Sequence, residues 1–427
     1  MADPDKAWGG DMHRSRPMVA FAARTVVFSV VVGCGVVGIA TAPAFAGPCP
    51  DGVPAPGQVI TAKPWPQQRW DLSALPRGID GSGVIVAVLD SGVDGNHPQL
   101  RGRVIAGQDL LPGGGTDGRQ DCLGHGTGVA SVIAARPAVG VEFRGIAPGA
   151  QILPLRVSEQ LGGKEKTGRG RQADVPGMAA AVRFAVSKKA RVINLSLSYG
   201  NSTTAKLAEL REAVREAIAQ DVVVIAAAGN QKNEGNPTPY PASWDDVLGV
   251  GAIDESGQRL AASQTGPYVD LVAPGDQVIV ARPGRGHTTE SGTSFAAPMV
   301  AATAALIRQA YPKLTESQVR RRLLATADPA PGGRLSGDYG VGILNPVRAV
   351  TDVMDGAARV TPAALVPRAA DPAAEAAAVR ATEQRSRALW LAGIGIVLAG
   401  LVLGLAMALP SGIRRRWRAA GQHGGTD

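Results

Sequence analysis

The chain has 427 residues, of which 45% are hydrophobic and 19% are charged, and its formal net charge is +8. This length allows one large domain or two medium ones, and the hydrophobic content is sufficient for a substantial core. Much of the positive charge lies near the two ends, and basic residues are not interleaved with aromatic ones. The composition therefore does not indicate a nucleic-acid partner.

The N-terminal segment has the pattern of a secretory signal. Arginines precede an apolar run over residues 26–39, and Ala44-Phe45-Ala46 is a small-x-small cleavage pattern. We therefore predict a signal peptide over residues 1–46. One alternative is an uncleaved membrane helix, for which the apolar run is short. Residues 31–34 also resemble a lipoprotein cleavage site, although the apolar run continues beyond them.

The C-terminal segment has the pattern of a membrane anchor. Residues 388–409 contain no charged side chain, and arginines follow in the tail at 410–427. Such a stretch is long enough to span a bilayer, and basic residues favour the cytoplasmic side. The preceding residues 355–387, rich in Ala and Pro, predict a stalk. We expect a single-pass protein of the cell membrane, with its folded part outside and its C-terminus in the cytoplasm.

The cysteines are consistent with this location. Cys34 would leave with the signal peptide, so that Cys49 and Cys122 remain. Outside the cell, an even pair of cysteines is expected to be bonded. We predict a Cys49–Cys122 disulfide that attaches a Pro-rich arm, residues 47–75, to the folded body. Two free thiols are the alternative, which an oxidising compartment disfavours.

From Gly83 onward, apolar runs alternate with helical patterns. Continuous runs typical of parallel strands buried on both faces occur at 84–89, 152–157, 192–197, 222–228, 247–253 and 269–273. Helical patterns occupy 175–189, 205–220, 299–307 and 315–327. This alternation predicts an α/β fold of three layers with a mostly parallel central sheet, over residues 76–354. The insertion at 159–171 lacks periodicity and predicts a surface loop.

Four polar residues stand where the chain leaves strands or enters helices. Asp90 and Asn230 follow apolar runs, His125 lies between glycines before a short apolar helix, and Ser294 opens a long one. In parallel sheets, functional sites lie beyond the carboxyl ends of the strands. The N–H groups at the start of a helix stabilise negative charge that develops nearby. Each residue alone could be a cap, a turn or a packed side chain. Together they predict a nucleophilic serine with a base, an orienting acid and an oxyanion donor.

The sequences around three of these residues resemble known motifs. Val-Leu-Asp90-Ser-Gly, Gly-His125-Gly-Thr and Gly-Thr-Ser294-Phe-Ala-Ala-Pro resemble the catalytic motifs of subtilisin-like serine proteases, in the same chain order. The resemblance extends from about Gly83 to Asn345. It implies a subtilisin-like fold and serine endopeptidase activity on protein or peptide substrates.

The resemblance also implies a role for each residue. Ser294 would be the nucleophile, His125 the general base, and Asp90 the group that orients the imidazole. Asn230 would stabilise the oxyanion together with the backbone N–H of Ser294. Leu195-Ser196-Leu197 is similar to the strand on which these proteases bind the substrate backbone.

Two departures from the family pattern concern the substrate cleft. Ser198-Tyr199 stands where many relatives have two glycines, and Pro239 precedes Tyr240-Pro241 where relatives often have glycine at the pocket floor. Both departures argue against the broad or bulky-residue preference of familiar subtilisins. We also see no acidic cluster for a calcium site, so we predict no metal and no cofactor.

A narrower resemblance comes from the order of segments. A signal peptide, a Pro-rich arm with a cysteine, Asp121-Cys122 before the histidine motif, and a C-terminal membrane helix resemble the mycosins. These are membrane-anchored subtilases of type VII secretion systems in mycobacteria and their relatives. The resemblance implies an arm that wraps the catalytic domain and a secretion membrane complex as partner. The alternatives are a generic cell-surface subtilase and a mainly structural component of the secretion machinery.

Overall fold

The computed structural model describes Cys49 and residues 54–160, 170–200, 202–203, 205–331, 333 and 335–354. The predicted signal peptide 1–46, stalk 355–387, membrane span 388–409 and tail 410–427 lie outside these residues. Residues 161–169 of the predicted surface loop do so as well. Within the described ranges, no helix is sufficiently long and apolar to cross a bilayer.

The described residues form seven α-helices and nine strands. The helices are α1 (Trp65–Arg69), α2 (His125–Ala134), α3 (Val175–Ser187), α4 (Ala208–Ala219), α5 (Thr293–Ala310), α6 (Glu316–Ala325) and α7 (Pro346–Thr351). The strands are β1 (Ile85–Asp90), β2 (Gln108–Asp109), β3 (Gln151–Arg156), β4 (Val192–Leu195), β5 (Val223–Ala227), β6 (Leu248–Ile253), β7 (Leu271–Pro274), β8 (Val278–Ala281) and β9 (His287–Glu290).

Seven strands build one parallel sheet, in the order β2-β3-β1-β4-β5-β6-β7. The sheet confirms the predicted α/β architecture. Strand β1 lies between β3 and β4, and Leu89 is in register with Leu155 and Leu195. Because the strands are parallel, their carboxyl ends meet at one edge. Strands β8 and β9 form a separate antiparallel hairpin.

The two faces of the sheet carry two apolar layers. Val86 and Val88 face the layer that contains α2 and α5, whereas Ala87 and Leu89 face the layer of α3 and α4. Strands covered on both sides must be apolar at every position, which explains the continuous apolar runs. Helix α5 is buried along most of its length, and every residue from Phe295 to Arg308 is buried. The long helix after Ser294 is therefore a central element of the core.

The described part of the Pro-rich arm includes a short helix. It contains α1, which begins beside Pro66, because proline favours the first turn of a helix. Trp70 and Leu72, at the end of the arm, belong to the main core. Further upstream, the backbone N–H of His287 donates to the carbonyl of Gln58 at 2.7 Å. The arm thus packs along the β8–β9 hairpin and into the body.

Cys49 and Cys122 are joined by a disulfide, with their Cα atoms 5.2 Å apart. The bond closes a loop with a sequence separation of 73 residues. It connects the start of the arm to the loop that precedes α2. The cross-link therefore restrains the unfolded chain from Cys49 to Cys122, which includes most of the arm and the strands β1 and β2.

Removing this cross-link should lower the stability of the folded domain. The chain-entropy model gives about 4 kcal/mol for a loop of this size. We expect the Cys49→Ser/Cys122→Ser variant to lose roughly 2–4 kcal/mol in urea unfolding. In reductant, the stability of the wild-type protein should fall towards that of the variant, whereas the stability of the variant itself should not change. Free thiols at both positions in non-reducing peptide mapping would contradict the cross-link.

Candidate active site

Three neighbouring strands end at the same edge of the sheet. Asp90 is the last residue of β1, Ser196 follows the last residue of β4, and Asn230 lies three residues beyond β5. Helix α5 begins next to this edge, since the backbone N–H of Thr293 donates to Asn230 Oδ1 at 2.9 Å. The topology thus brings together residues that are far apart in the sequence.

Asp90 and His125 form a direct hydrogen bond. His125 Nδ1 lies 2.7 Å from Asp90 Oδ1, and the Asp90 side chain is only 4% exposed. The same carboxylate oxygen accepts from the backbone N–H of Ser91 at 2.7 Å. A proton on Nδ1 that is donated to Asp90 leaves Nε2 with its lone pair, as a general base requires. Gly126 permits this approach, because a Cβ there would lie 2.1 Å from the carbonyl oxygen of Gly92.

The start of α2 is capped from outside the helix. Its N-cap residue is Gly124, which has no side chain to accept a hydrogen bond. Ser91 Oγ accepts instead from the N–H of Gly126 at 2.9 Å, and Asp121 Oδ2 accepts from the N–H of Thr127 at 2.8 Å. Ser91 Oγ also donates to Asp121 Oδ1 at 2.8 Å. These bonds tie the first turn of α2 to the end of β1.

The surrounding charges alter the pKa of His125. Burial acts to lower this pKa, but the charge and hydrogen bond of Asp90 and the charges of Asp121 and Glu290 outweigh burial. The net effect raises the pKa of His125 above its usual value of 6.5. Burial in turn raises the pKa of Asp121. The imidazole is therefore a stronger base than in water, and it becomes available only above its raised pKa.

Asn230 is held by the first residue of α5. Its Oδ1 accepts from both the backbone N–H and the hydroxyl of Thr293, at 2.9 and 3.1 Å. Among the described residues, no hydrogen bond is recorded for Nδ2 of this exposed side chain. The amide is thus oriented with its donor group free. A fixed donor at a helix start is suited to an oxyanion.

Ser294 is the second residue of α5 and is partly buried. Its hydroxyl donates to the carbonyl oxygen of Ser196 at 3.2 Å. The ring of the next residue, Phe295, packs on the imidazole of His125 with 5.3 Å between ring centroids. The serine and the histidine thus occupy the first turns of two adjoining helices, α5 and α2.

The segment predicted to bind substrate runs along the same edge. Leu195 ends β4 with a fully buried side chain in the α3–α4 layer, and its backbone lies in register between Leu89 of β1 and Ala226 of β5. Leu197 lies beyond the strand and is partly buried. Further on, the N–H of Tyr199 donates to the carbonyl of Tyr240 at 2.8 Å. The two segments at which the sequence departs from the family pattern are therefore bonded to each other.

Sequence reasoning missed the supporting roles of Ser91, Asp121 and Thr293. A hydroxyl residue directly before Ser294 and an acidic residue four positions before His125 were the available signals. Neither distinguishes a positioning residue from an ordinary turn residue without the fold. In the described ranges, no group of three or more His, Cys, Asp or Glu side chains could hold a metal ion.

The amino-acid sequence is similar to those of known subtilases. Residues 81–342 match the subtilase family, peptidase S8. Subtilisin E of Bacillus subtilis (strain 168) is 37% identical over 272 residues, which are 63% of this chain and 66%, just under two thirds, of that protein.

Solved structures are also similar. The crystal structure of MycP1 from Mycobacterium smegmatis has a TM-score of 0.61 and 28% identity, and the match covers 71% of this chain and 89% of that one. The MycP3 protease from the type VII (ESX-3) secretion system has a TM-score of 0.57 and 32% identity, covering 71% and 91%. The match to the subtilase family, residues 81–342, includes the four polar residues.

The raised pKa of His125 gives a pH dependence for any reaction in which it is the base. The value of kcat/KM should fall about tenfold per pH unit below that pKa, with its midpoint above 6.5. A pH–rate profile with a peptide or ester substrate measures this. A profile that stays flat down to about pH 4 would rule out an imidazole base.

The Asp90→Asn variant tests the contribution of the Asp90 carboxylate to the function of His125. It keeps the shape of the side chain, but it removes the charge and the acceptor that select the Nδ1–H tautomer. We expect a loss of roughly 10⁴-fold in kcat, the magnitude found for this change in other serine proteases.

Proposed function

The chain belongs to the subtilase family of serine endopeptidases, and on that premise we propose that it hydrolyses peptide bonds through Asp90, His125 and Ser294. The observation that carries this proposal is the 2.7 Å hydrogen bond between Asp90 Oδ1 and His125 Nδ1. It leaves Nε2 as the base beside the first turn of α5, where Ser294 lies. Burial of Asp90 keeps water from competing for this bond.

In the first step, the Ser294 hydroxyl leaves the Ser196 carbonyl and turns to His125 Nε2. Oγ then bonds to the carbonyl carbon of the substrate while its proton moves to Nε2. The charge that develops on the carbonyl oxygen is stabilised by Asn230 Nδ2 and by the backbone N–H of Ser294. Asp90 stabilises the imidazolium that forms.

In the second step, the tetrahedral intermediate collapses and the C–N bond breaks. His125 Nε2 gives its proton to the leaving amine, and an ester on Ser294 remains. A water molecule then attacks the ester carbon and loses a proton to Nε2. Oγ departs and takes that proton back, which regenerates the enzyme.

We place this activity in a type VII secretion system, with exported proteins as substrates. The support is the similarity to MycP1 and to the MycP3 protease from the type VII (ESX-3) system. The predicted signal peptide 1–46 would direct export, and the predicted membrane span 388–409 would hold the domain at the outer face of the cell membrane. There the enzyme would also contact the secretion membrane complex.

A comparison of secretomes tests this placement. In a Ser294→Ala strain, specific exported proteins should remain uncleaved while their export continues. If deletion of the whole gene abolishes export whereas Ser294→Ala does not, the protein also has a structural role in the complex. Unchanged processing in Ser294→Ala would contradict the endopeptidase role, and processing of proteins unrelated to secretion would favour a generic surface protease.

The oxyanion role of Asn230 has its own test. Asn230→Ala should lower kcat by about 100- to 1000-fold with little change in KM, because the lost donor acts on charge that exists only in the transition state. This magnitude is the one known for the corresponding loss in subtilisin. Steady-state kinetics on a peptide ester measures it. An equal rise in KM with unchanged kcat would assign Asn230 to substrate binding instead.

A further inference from the structure

Helix α5 contains a proline that affects the carbonyl of Ser294. Pro298 lies inside the helix, four residues after Ser294. A proline has no N–H to donate to the carbonyl four residues earlier, and its ring crowds that carbonyl. The Ser294 carbonyl therefore lacks its helical donor. A carbonyl in a buried turn needs a partner from elsewhere.

Ser196 supplies that partner. Its Oγ donates to the Ser294 carbonyl oxygen at 2.8 Å, and Ser196 is only 5% exposed. Asn194, fully buried in β4, donates its Nδ2 group to the same Oγ at 2.9 Å. Because Asn194 already donates to this hydroxyl, the hydroxyl proton is directed to Ser294.

The bond is one of three that hold consecutive residues at the start of α5. All three partners follow strands of the parallel sheet, β7, β5 and β4. The contacts are Gly292 N–H to Gly275 O at 2.7 Å, Thr293 N–H to Asn230 Oδ1 at 2.9 Å, and Ser196 Oγ to Ser294 O at 2.8 Å.

We propose that Ser196 is a positioning residue for the nucleophile, whose hydroxyl replaces the helical donor lost at Pro298. The bond fixes the backbone of Ser294 relative to His125 and Asn230. This inference deepens the proposed function and rests on it. It is separate from the backbone pairing with substrate predicted for residues 195–197, since it uses a side chain and is complete without substrate.

A double-mutant cycle with an active-site probe tests the inference. A fluorophosphonate reports on Ser294 directly: Oγ bonds to phosphorus, fluoride leaves, and His125 takes the proton. Ser196→Ala should slow labelling about three- to tenfold, as expected for the loss of one hydrogen bond. In a Pro298→Ala background, the same change should cost less than about twofold, because residue 298 now donates its N–H to the Ser294 carbonyl.

The controls separate positioning from folding. Ser187→Ala removes a hydroxyl that donates to the carbonyl of Phe184 at 2.7 Å on an exposed helix end. It should leave the labelling rate unchanged. Thermal unfolding of every variant gives the folded fraction by which rates are normalised. This normalisation is needed because replacing an interior proline by alanine stabilises a helix in its own right. Once it is made, rescue by Pro298→Ala reports the restored donor to the Ser294 carbonyl.

The outcomes distinguish the two proposals. If wild-type protein does not react and Ser294→Ala behaves identically, the proposed function fails. If wild-type protein reacts but Ser196→Ala is labelled equally fast, the positioning role is wrong. It is also wrong if Ser196→Ala lowers the labelling rate by the same factor in the wild-type and Pro298→Ala backgrounds. Should Pro298→Ala not fold, Asn194→Asp decides. Its carboxylate would accept the Ser196 proton, so labelling should slow as in Ser196→Ala, and an unchanged rate would overturn the inference.

Discussion

The position of Ser294 depends on hydrogen bonds between the first turn of α5 and the carboxyl ends of parallel strands. A helix start alone leaves its N–H groups unpaired and its direction loosely fixed. Here the chain after β7, β5 and β4 contributes one bond each to Gly292, Thr293 and Ser294. Since these strands belong to one sheet, the first turn of α5 is held in place by the core.

His125 is positioned by the same physical principle. Helix α2 begins at a glycine that cannot cap it, so its first donors are satisfied by Ser91 and Asp121. Ser91 follows Asp90 directly, and thus the group that caps the helix moves together with the group that orients the imidazole. The hydrogen bonds from the first turn of α2 to the side chains of Ser91 and Asp121 therefore help to set the Asp90–His125 distance, in addition to the attraction between Asp90 and His125.

Buried polar groups are concentrated at this edge of the sheet. Asp90, Asp121, Asn194 and Ser196 are each at most 5% exposed. Burying such groups is unfavourable unless they are paired, and most of their partners here belong to the two helix starts. These bonds offset part of the cost of desolvation, while Asp90 Oδ2 and Asn194 Oδ1 are buried and have no hydrogen-bond partner among the described residues. The Gly- and Ala-rich sequence around these groups allows the backbones to approach closely enough for these bonds.

The sequence alone predicted six of the seven strands of the parallel sheet, because burial on both faces leaves continuous apolar runs that depend only on neighbouring residues. It did not predict β2 or the β8–β9 hairpin. It also indicated Asp90, His125, Asn230 and Ser294, which stand at the ends of those elements. It could not assign the hydroxyl of Ser196, which bonds to a carbonyl 98 positions away. Only the tertiary structure brought these groups together, since that bond depends on how β4 and α5 pack and on the donor that Pro298 lacks.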